Sequence, residues 1–254
     1  MQARSPFDLS GRTALVTGAN TGIGQGIALA LAQAGAQVVA AGRSDMGETL
    51  ALIAQAGGKA QALSLDLQRK DAAPAAIAES EALAGPLDIL VNNAGIIRRA
   101  DALDFSEADW DEVMNVNLKA SFFLAQAFAK AALAQGRGGR IINIASLLSF
   151  QGGIRVASYT ASKSGLAGLT KLLACEWAAK GINVNAIAPG YIESNNTQAL
   201  RADPERNGAI LARIPAGRWG KPADIGGAAV FLASDAAAYM HGAIIPVDGG
   251  WLAR

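Results

Sequence analysis

The sequence predicts an α/β fold in which one parallel sheet is covered by helices on both faces. Short apolar segments alternate with longer segments of helical periodicity along all 254 residues. Within each short segment the apolar character is continuous, as in parallel strands whose two faces are both buried. The predicted strands are 14–16, 38–41, 62–65, 89–91, 141–144, 184–187 and 244–247. No Pro/Ser-rich linker or change of composition divides the chain, so we expect a single domain spanning residues 1–254.

The composition excludes several classes of protein. Hydrophobic residues make up 51% of the chain and charged residues 17%, which predicts a large core rather than disorder. A net charge of +1 offers no field that would attract nucleic acid or a membrane surface, so we expect a small-molecule ligand. One cysteine and one histidine are too few for a Cys/His zinc site, and no metal is expected. We expect Cys175 in a helix core and His241 in a loop.

The beginning of the chain indicates where the protein works. Residues 1–11 lack the apolar stretch of a secretory signal, which predicts a cytoplasmic protein. Residues 13–42 carry no charge, but glycines and an asparagine interrupt them, so a buried strand, turn and helix is favoured over a membrane span.

A glycine-rich loop follows the first predicted strand and opens a helix. It reads Thr17-Gly18-Ala19-Asn20-Thr21-Gly22-Ile23-Gly24. In that position, backbone N–H groups at a helix N-terminus can bind a pyrophosphate, and glycines let the backbone approach it closely. The spacing is GxxxGxG rather than GxGxxG, and a purely structural turn would look similar. The alternating α/β context favours a dinucleotide site and a Rossmann-type, doubly wound sheet.

Three side chains downstream of this loop suit hydride-transfer chemistry. Tyr159 and Lys163 are four residues apart on a predicted helix, so an ammonium lies beside a phenol. Ser146 comes directly after strand 141–144, at the strand end where such sheets bind ligands. Reduction of a carbonyl needs a proton donor and a second hydrogen bond at its oxygen, which Tyr159 and Ser146 can supply. Ser149 is a rival for the role of Ser146.

Two long helices are predicted around these residues. One carries Tyr159 and Lys163 and extends to about Lys180, with Gly181 as its C-cap. The other extends from about 114 to 133. Their apolar stripes are broader than one sheet face requires, which indicates a subunit interface.

The motifs together resemble the short-chain dehydrogenase/reductase family. TGANTGIG at 17–24, NNAG at 92–95, Asn117, Ser146, YTASK at 159–163 and Pro189-Gly190 carry the resemblance, which covers nearly the whole chain. It implies that Ser146 orients the substrate carbonyl and Tyr159 exchanges the proton. It further implies that Lys163 holds the ribose hydroxyls and lowers the pKa of Tyr159, and that Asn117 holds a relay water.

The resemblance also implies a set of cofactor contacts. Asp66 is expected near the adenine and Ile192 near the nicotinamide carboxamide, while Ser194 stands where the family usually has threonine. The full expected set is Gly18, Asn20, Thr21, Gly22, Ile23, Gly24, Asp66, Leu67, Asn93, Ala94, Gly95, Tyr159, Lys163, Pro189, Gly190, Ile192 and Ser194.

The choice between NAD(H) and NADP(H) stays open at this point. NAD-binding sheets usually place a carboxylate after the second strand, but here Gly42 and Arg43 follow it. A guanidinium suits the 2'-phosphate of NADP(H), so Arg43 favours that cofactor. The closest resemblance within the family implies NAD(H) instead.

Longer matching stretches resemble the members of the family that act on deoxy keto sugar acids and imply a homotetramer. Such an acid needs a cation, and Arg99 and Arg155, with Gln151, are the expected substrate contacts, Arg98 being less favoured. The polar stretch 193–213 is expected to be a substrate lid. Alternative activities are gluconate 5-dehydrogenase and 3-oxoacyl thioester reductase, and the non-enzyme alternative is a catalytically silent dinucleotide-binding sensor.

Overall fold

The computed structural model describes residues 5–254, and its centre is one seven-stranded sheet. All neighbouring strands in the described part of the chain are parallel, in the order β3-β2-β1-β4-β5-β6-β7. The strands are β1 (Thr13–Thr17), β2 (Gln37–Gly42), β3 (Lys59–Ser64), β4 (Ile89–Asn92), β5 (Gly139–Ile144), β6 (Ile182–Pro189) and β7 (Ile244–Val247). The α/β fold predicted from the sequence is confirmed, strand by strand.

Helices cover both faces of the sheet. They are α1 (Gly22–Gln33), α2 (Gly47–Gln55), α3 (Ala72–Ala84), α4 (Glu107–Met114), α5 (Ala120–Ala134), α6 (Ala157–Trp177), α7 (Gln198–Ala202), α8 (Pro204–Arg213) and α9 (Pro222–Ala233). On one face, Ile27 of α1 and Ile225 of α9 pack against the sheet. On the other, Phe128 of α5 and Leu173 of α6 do so. Because both faces are covered, the central strands β1, β2 and β4 are buried at nearly every position, whereas the edge strand β3 is partly exposed.

The first long helix is interrupted at a position that bears on the site. It begins at Glu107, earlier than predicted, with Ser106 as an N-cap that accepts from the Asp109 amide (3.1 Å). Between α4 and α5 the backbone forms one π-helical turn, Asn115–Lys119, which contains Asn117. Single π turns inside α-helices often mark functional sites.

The second long helix matches its predicted length. After α6 a 3₁₀ turn, Ala178–Lys180, ends at Gly181, whose φ of +79° is the left-handed conformation expected of a C-cap glycine. Cys175 is exposed, so its expected place in a helix core is wrong. Leu172, three residues earlier on the same helix face, is also exposed. The sheet covers the stripe through Leu166 and Leu173 and leaves the neighbouring stripe uncovered.

The predicted lid region, 193–213, is helical. It consists of a 3₁₀ turn, Asn195–Thr197, followed by α7 and α8. Ile210 and Ile214 pack with Trp219 and Trp251 in a small apolar cluster of their own, outside the two clusters on the sheet faces. No helix in residues 5–254 is both long enough and apolar enough to cross a membrane.

Two adjacent glycines of α9 provide a matched test of this packing. A methyl group on Gly226 would lie 2.6 Å from the Ala30 Cβ of α1, whereas one on Gly227 would meet no atom within 4 Å. We expect Gly227→Ala to raise the free energy of unfolding by about 0.5–1 kcal/mol through helix propensity. We expect Gly226→Ala to lower it by about 1–3 kcal/mol through overpacking. Urea unfolding of both variants checks this, and equal shifts would contradict the close approach of α1 and α9.

Candidate active site

The carboxyl ends of four neighbouring strands bring the predicted site residues together. The glycine loop follows β1, residues 93–95 follow β4, Ser146 follows β5, and Gly190 follows β6. Parallel strands end at the same edge of a sheet, so segments far apart in sequence meet there. α6 contributes Tyr159 and Lys163 to the same edge, where Tyr159 and Ser146 line one pocket.

Close backbone contacts hold the glycine loop against the segment after β4. Gly18 has a φ of +63°, and a methyl group on Gly24 would collide with the Gly18 carbonyl oxygen. The Asn93 side-chain amide donates to the carbonyl oxygens of Thr17 (2.8 Å) and Gly18 (3.1 Å). Asn93 thus fixes the loop conformation against the segment after β4.

The residues at this edge fit a dinucleotide cofactor. The Thr21 side chain makes no capping bond to the first turn of α1, so the N–H groups there can donate to a phosphate. A methyl group on Gly22 would lie 3.3 Å from the Ser194 side chain, which therefore faces the glycine loop. A methyl group on Gly95 would lie 3.7 Å from the Lys163 Nζ. Glycines thus leave open the space that a ribose and a pyrophosphate need.

Other predicted cofactor contacts lie around the same cleft. A side chain at Gly42, at the end of β2, would meet the Met46 side chain and lie 3.8 Å from the Asn20 Oδ1. Asp66 follows β3 and accepts from the Gln68 amide (3.0 Å). The remaining positions are Ile23 and Leu67, both half-buried, Ile192, which is buried and bridges to Gly220, and Pro189, which ends β6.

Lys163 is the most constrained of the reactive side chains. Its ammonium is buried and donates to the carbonyl oxygen of Ile144 (2.6 Å), and it lies 5.6 Å from the centroid of the Tyr159 ring. Burial lowers the pKa of Lys163 to about 8. An ammonium has three donors, so two remain for other partners.

In the protein, the net effect on the pKa of Tyr159 is a rise. Burial raises it, and this effect exceeds the opposing influences of the Ser146 hydroxyl and the positive charge of Arg99. The lowering of this pKa expected from Lys163 stays a prediction.

The structure distinguishes between the two candidate serines. The Ser146 hydroxyl accepts from the Leu148 amide (3.2 Å) and keeps its own proton for the pocket that it lines with Tyr159. The Ser149 hydroxyl donates to the Lys163 carbonyl oxygen (2.8 Å) inside the protein. Ser149 is therefore committed to holding α6, and of the two serines only Ser146 lines the pocket.

Asn117 acts on the main chain of the segment after β4. Its Oδ1 accepts from the Ile96 amide (2.8 Å), and its Nδ2 donates to the Ile96 carbonyl (2.9 Å) and the Ser162 hydroxyl (3.3 Å). The two bonds to the Ile96 main chain hold residues 95–96 beside Lys163. The relay water expected at Asn117 stays a prediction.

A pocket of about 240 Å³ opens above Tyr159 and Ser146. Its floor is apolar, with Leu147, Val156 and Pro189 among its residues. Three arginines line it, Arg99, Arg155 and Arg206, and no aspartate or glutamate does. A concave, water-poor site with charge of one sign attracts small ligands of the opposite sign.

The predicted substrate contacts differ in how firmly the protein holds them. Arg99 donates to the Asn196 carbonyl (2.9 Å), and Arg155 pairs with Asp101 (3.4 Å) in a left-handed conformation with φ of +62°. The Gln151 Oε1 accepts from Trp251 (3.2 Å) and Arg213 (3.4 Å). Arg98, in contrast, pairs with acidic residues of α4 and does not line the pocket.

Sequence reasoning missed part of the pocket wall. Tyr191, Thr197, Leu200 and Arg206 all line it, yet none was singled out as a contact, although all but Tyr191 lie within the predicted lid. A helical signal was present for Arg206, because it lies four residues before Ile210 on α8. In residues 5–254, no group of three or more His, Cys, Asp or Glu side chains is placed to hold a metal ion.

Comparisons with known proteins agree with this geometry. Residues 18–252 match the family model described as Enoyl-(Acyl carrier protein) reductase. The chain is 59% identical over 250 residues to the 2-dehydro-3-deoxy-D-gluconate 5-dehydrogenase of Escherichia coli (strain K12), covering 98% of this chain and 99% of the relative.

Two similar solved structures contain NADP. One, from Agrobacterium tumefaciens and provisionally assigned as a 2-deoxy-D-gluconate 3-dehydrogenase, is 69% identical with a TM-score of 0.93, covering 99% and 100% of the two chains. The other, from Beutenbergia cavernae and provisionally assigned as an NAD(P)-dependent gluconate 5-dehydrogenase, holds NADP at low occupancy. It is 55% identical with a TM-score of 0.93, covering 98% and 100%.

The chain therefore belongs to the short-chain dehydrogenase/reductase family and is an oxidoreductase. The resemblance inferred from the motifs is confirmed. The description of the family model names an enoyl reductase, which is one reaction of the family. The relatives at 59% and 69% identity carry the names of sugar-acid dehydrogenases.

The buried Lys163 should give the protein a measurable pH dependence of stability. Its folded pKa of about 8 lies below the ordinary lysine value of 10.5. Between these values the unfolded chain keeps a proton that the folded protein has lost, so stability rises with pH. At pH values below both pKa values, burial of the ammonium lowers the free energy of unfolding by about 3 kcal/mol, at about 1.36 kcal/mol per pKa unit.

Lys163→Met removes that cost. The free energy of unfolding of Lys163→Met, relative to that of the wild type, should fall by up to about 3 kcal/mol as the pH rises from about 8 to about 10.5. Denaturant unfolding across this range measures the difference, with the exposed Lys180→Met as the control for loss of one lysine. A difference independent of pH would contradict the lowered pKa of Lys163.

Proposed function

We propose that this protein interconverts a keto and a hydroxy group of a deoxy sugar acid of the 2-dehydro-3-deoxy-D-gluconate type, using NADP(H). The observation that carries this proposal is the pocket above Tyr159, which has three arginines and no carboxylate in its wall. Its volume of about 240 Å³ suits a six-carbon acid better than a long acyl chain. The names of the relatives at 59% and 69% identity support the same substrate class.

Tyr159 and Ser146 handle the proton and the charge at the reacting oxygen. Both line the pocket, and a carbonyl oxygen between them would receive two hydrogen bonds. In reduction Tyr159 donates its proton to the oxygen as negative charge develops there, while Ser146 stabilises that charge. In oxidation the same proton returns to Tyr159.

Lys163 and its neighbours hold the cofactor in register with Tyr159. Two free donors of the Lys163 ammonium face the open space beside Gly95, where ribose hydroxyls would accept them. The bound cofactor supplies the hydride and, when oxidised, a positively charged ring. That charge would oppose the burial that raises the pKa of Tyr159. The other expected cofactor residues, from the glycine loop to Ser194, are proposed to line the rest of the cofactor, with Asp66 near the adenine and Ile192 near the nicotinamide carboxamide.

Gln151 is proposed as a substrate donor. Its Oε1 is occupied by Trp251 and Arg213, so its amide N–H groups are left for the pocket. They would donate to a substrate hydroxyl. Arg99, whose charge acts on Tyr159, is placed to contact the substrate near the reacting carbon, and Arg155 adds positive charge at the pocket mouth.

Region 193–213 is proposed to be a lid. Asn196, Thr197, Leu200 and Arg206 from this region line the pocket, so a shift of the region would open or close the site. We also propose a homotetramer. Phe123 and Leu133 of α5 and Leu172 of α6 are exposed, and association of subunits would bury them.

NADP(H) is proposed as the preferred cofactor. β2 ends in Gly42, so no carboxylate is present there to bind a ribose 2'-hydroxyl. Arg43 is exposed and forms no hydrogen bond or ion pair with any residue in 5–254. It can therefore bind a 2'-phosphate without losing a partner.

Initial rates on a panel of substrates test the activity. With NADPH, a deoxy keto sugar acid should be reduced with a higher kcat/KM than aliphatic ketones or 3-oxoacyl thioesters. Tyr159→Phe should lower kcat by about 10²- to 10⁴-fold while cofactor binding survives. Faster reduction of thioesters would favour the alternative reductase, and faster oxidation of gluconate would favour gluconate 5-dehydrogenase.

Arg43→Ala tests the cofactor preference. We expect NADPH binding to weaken by about 1.5–3 kcal/mol, as for a lost hydrogen bond to a charged group, and NADH binding to change little. Titration of both cofactors measures this. Lys59→Ala controls for the loss of one positive charge, because Lys59 begins β3 and so lies at the edge of the sheet opposite the candidate site. Equal losses for the two cofactors would leave NAD(H) as the better assignment.

A further inference from the structure

We infer that Arg206 of α8 is the residue that binds the carboxylate of the substrate and thereby sets the preference for acids. This inference rests on the proposed function, because it assigns one end of the proposed substrate to one side chain. Arg206 lines the same pocket as Tyr159 and Ser146, but it comes from the lid rather than from the sheet edge.

Arg206 is the uncommitted arginine of the pocket. Arg99 donates to the Asn196 carbonyl, and Arg155 pairs with Asp101. The Arg206 guanidinium, in contrast, makes no hydrogen bond or ion pair with any residue from 5 to 254. A planar fork of free N–H donors is the group that binds a carboxylate with two parallel hydrogen bonds.

The main chain under Arg206 is held firmly. The Asp203 carboxylate accepts from the amides of Glu205 (3.0 Å) and Arg206 (3.1 Å), which caps α8. One residue further on, the Asn207 Oδ1 accepts from the Trp219 Nε1 (2.7 Å). One turn later, Ile210 is buried in the apolar cluster with Trp219. The base of the side chain is thus fixed while its guanidinium remains free.

The positive charges of the pocket act on different tyrosines. Burial raises the pKa of Tyr191, while the charges of Arg213 and Arg206 oppose the rise. For Tyr159 the opposing charge is that of Arg99. Arg206 therefore lies near Tyr191, and Arg99 lies near the reacting hydroxyl.

This separation matches a substrate that carries its carboxylate away from the reacting carbon. Arg213, the other cation near Tyr191, is already occupied. Its guanidinium lies 4.0 Å from the centroid of the Trp251 ring and donates to Gln151. Arg206 is then the cation left for the distant carboxylate, and binding there aligns the carbonyl with Tyr159.

The test compares an acid with a neutral analogue in the same enzyme. Rates with 2-dehydro-3-deoxy-D-gluconate-type keto acid and with its primary amide are measured for wild type, Arg206→Gln and Arg206→Lys. Arg206→Gln should lower kcat/KM for the acid by about 10- to 100-fold, mostly through KM, because a charge-assisted contact is lost. The amide should change less than about threefold, since a neutral group makes no such contact.

Control variants separate a local effect from a general one. Arg206→Lys keeps the charge but not the fork and should fall between wild type and Arg206→Gln. Glu205→Gln, on the same turn but outside the pocket, should keep the acid preference, and NADPH binding should be unchanged in Arg206→Gln. Arg155→Gln, which removes the positive charge at the pocket mouth, should lower kcat/KM for the acid less than Arg206→Gln does.

The outcomes distinguish this inference from the proposed function. If wild type shows no preference for the acid over the amide, the proposed substrate class is wrong and the assignment of Arg206 goes with it. If wild type prefers the acid and Arg206→Gln keeps that preference, only the role of Arg206 is overturned. If Arg155→Gln rather than Arg206→Gln loses the preference for the acid, the role of Arg206 is likewise overturned.

Discussion

The bond between the Lys163 ammonium and the Ile144 carbonyl is the contact on which the candidate site depends. It joins α6 to the end of β5 and so brings Tyr159, four residues earlier, beside Ser146, two residues after Ile144. Burying this ammonium is unfavourable, as its lowered pKa shows. The buried ammonium lies beside Gly95 in the candidate site, and functional sites commonly carry such local destabilisation.

A second layer of structure builds the substrate pocket on this reactive edge. Helix α8 packs through Ile210 on an aromatic cluster that includes Trp219 and Trp251. Tyr191 meets both tryptophan rings, at centroid distances of 5.4 and 4.6 Å. The proposed reacting groups therefore lie at the edge of the sheet, whereas α8 and its neighbours complete the wall of the pocket. Residues that bind substrates commonly lie on loops and short helices that a rigid sheet positions.

How much of the molecule was predictable depended on how local each feature is. Most strands were predictable because both sheet faces are covered, which makes the central strands largely apolar. The π turn at Asn117 and the exposure of Cys175 were not, because both depend on what packs against the helix. The rise that burial produces in the pKa of Tyr159 was not predictable either, because burial is a property of the whole fold.

The sequence by itself determined the fold class and the family and singled out the candidate reacting groups, because strand periodicity, the glycine loop and the spacing of Tyr159 from Lys163 are all local patterns. Only the tertiary structure decided which donors and acceptors are free to act. The Ser149 hydroxyl is bound to the Lys163 carbonyl, the Gln151 Oε1 to Trp251, and one Arg99 nitrogen to Asn196, while the Gln151 amide and the Arg206 guanidinium remain available. The physical reason is that a hydrogen bond satisfies a donor wherever its partner lies, and most of these partners are separated by about a hundred residues of chain.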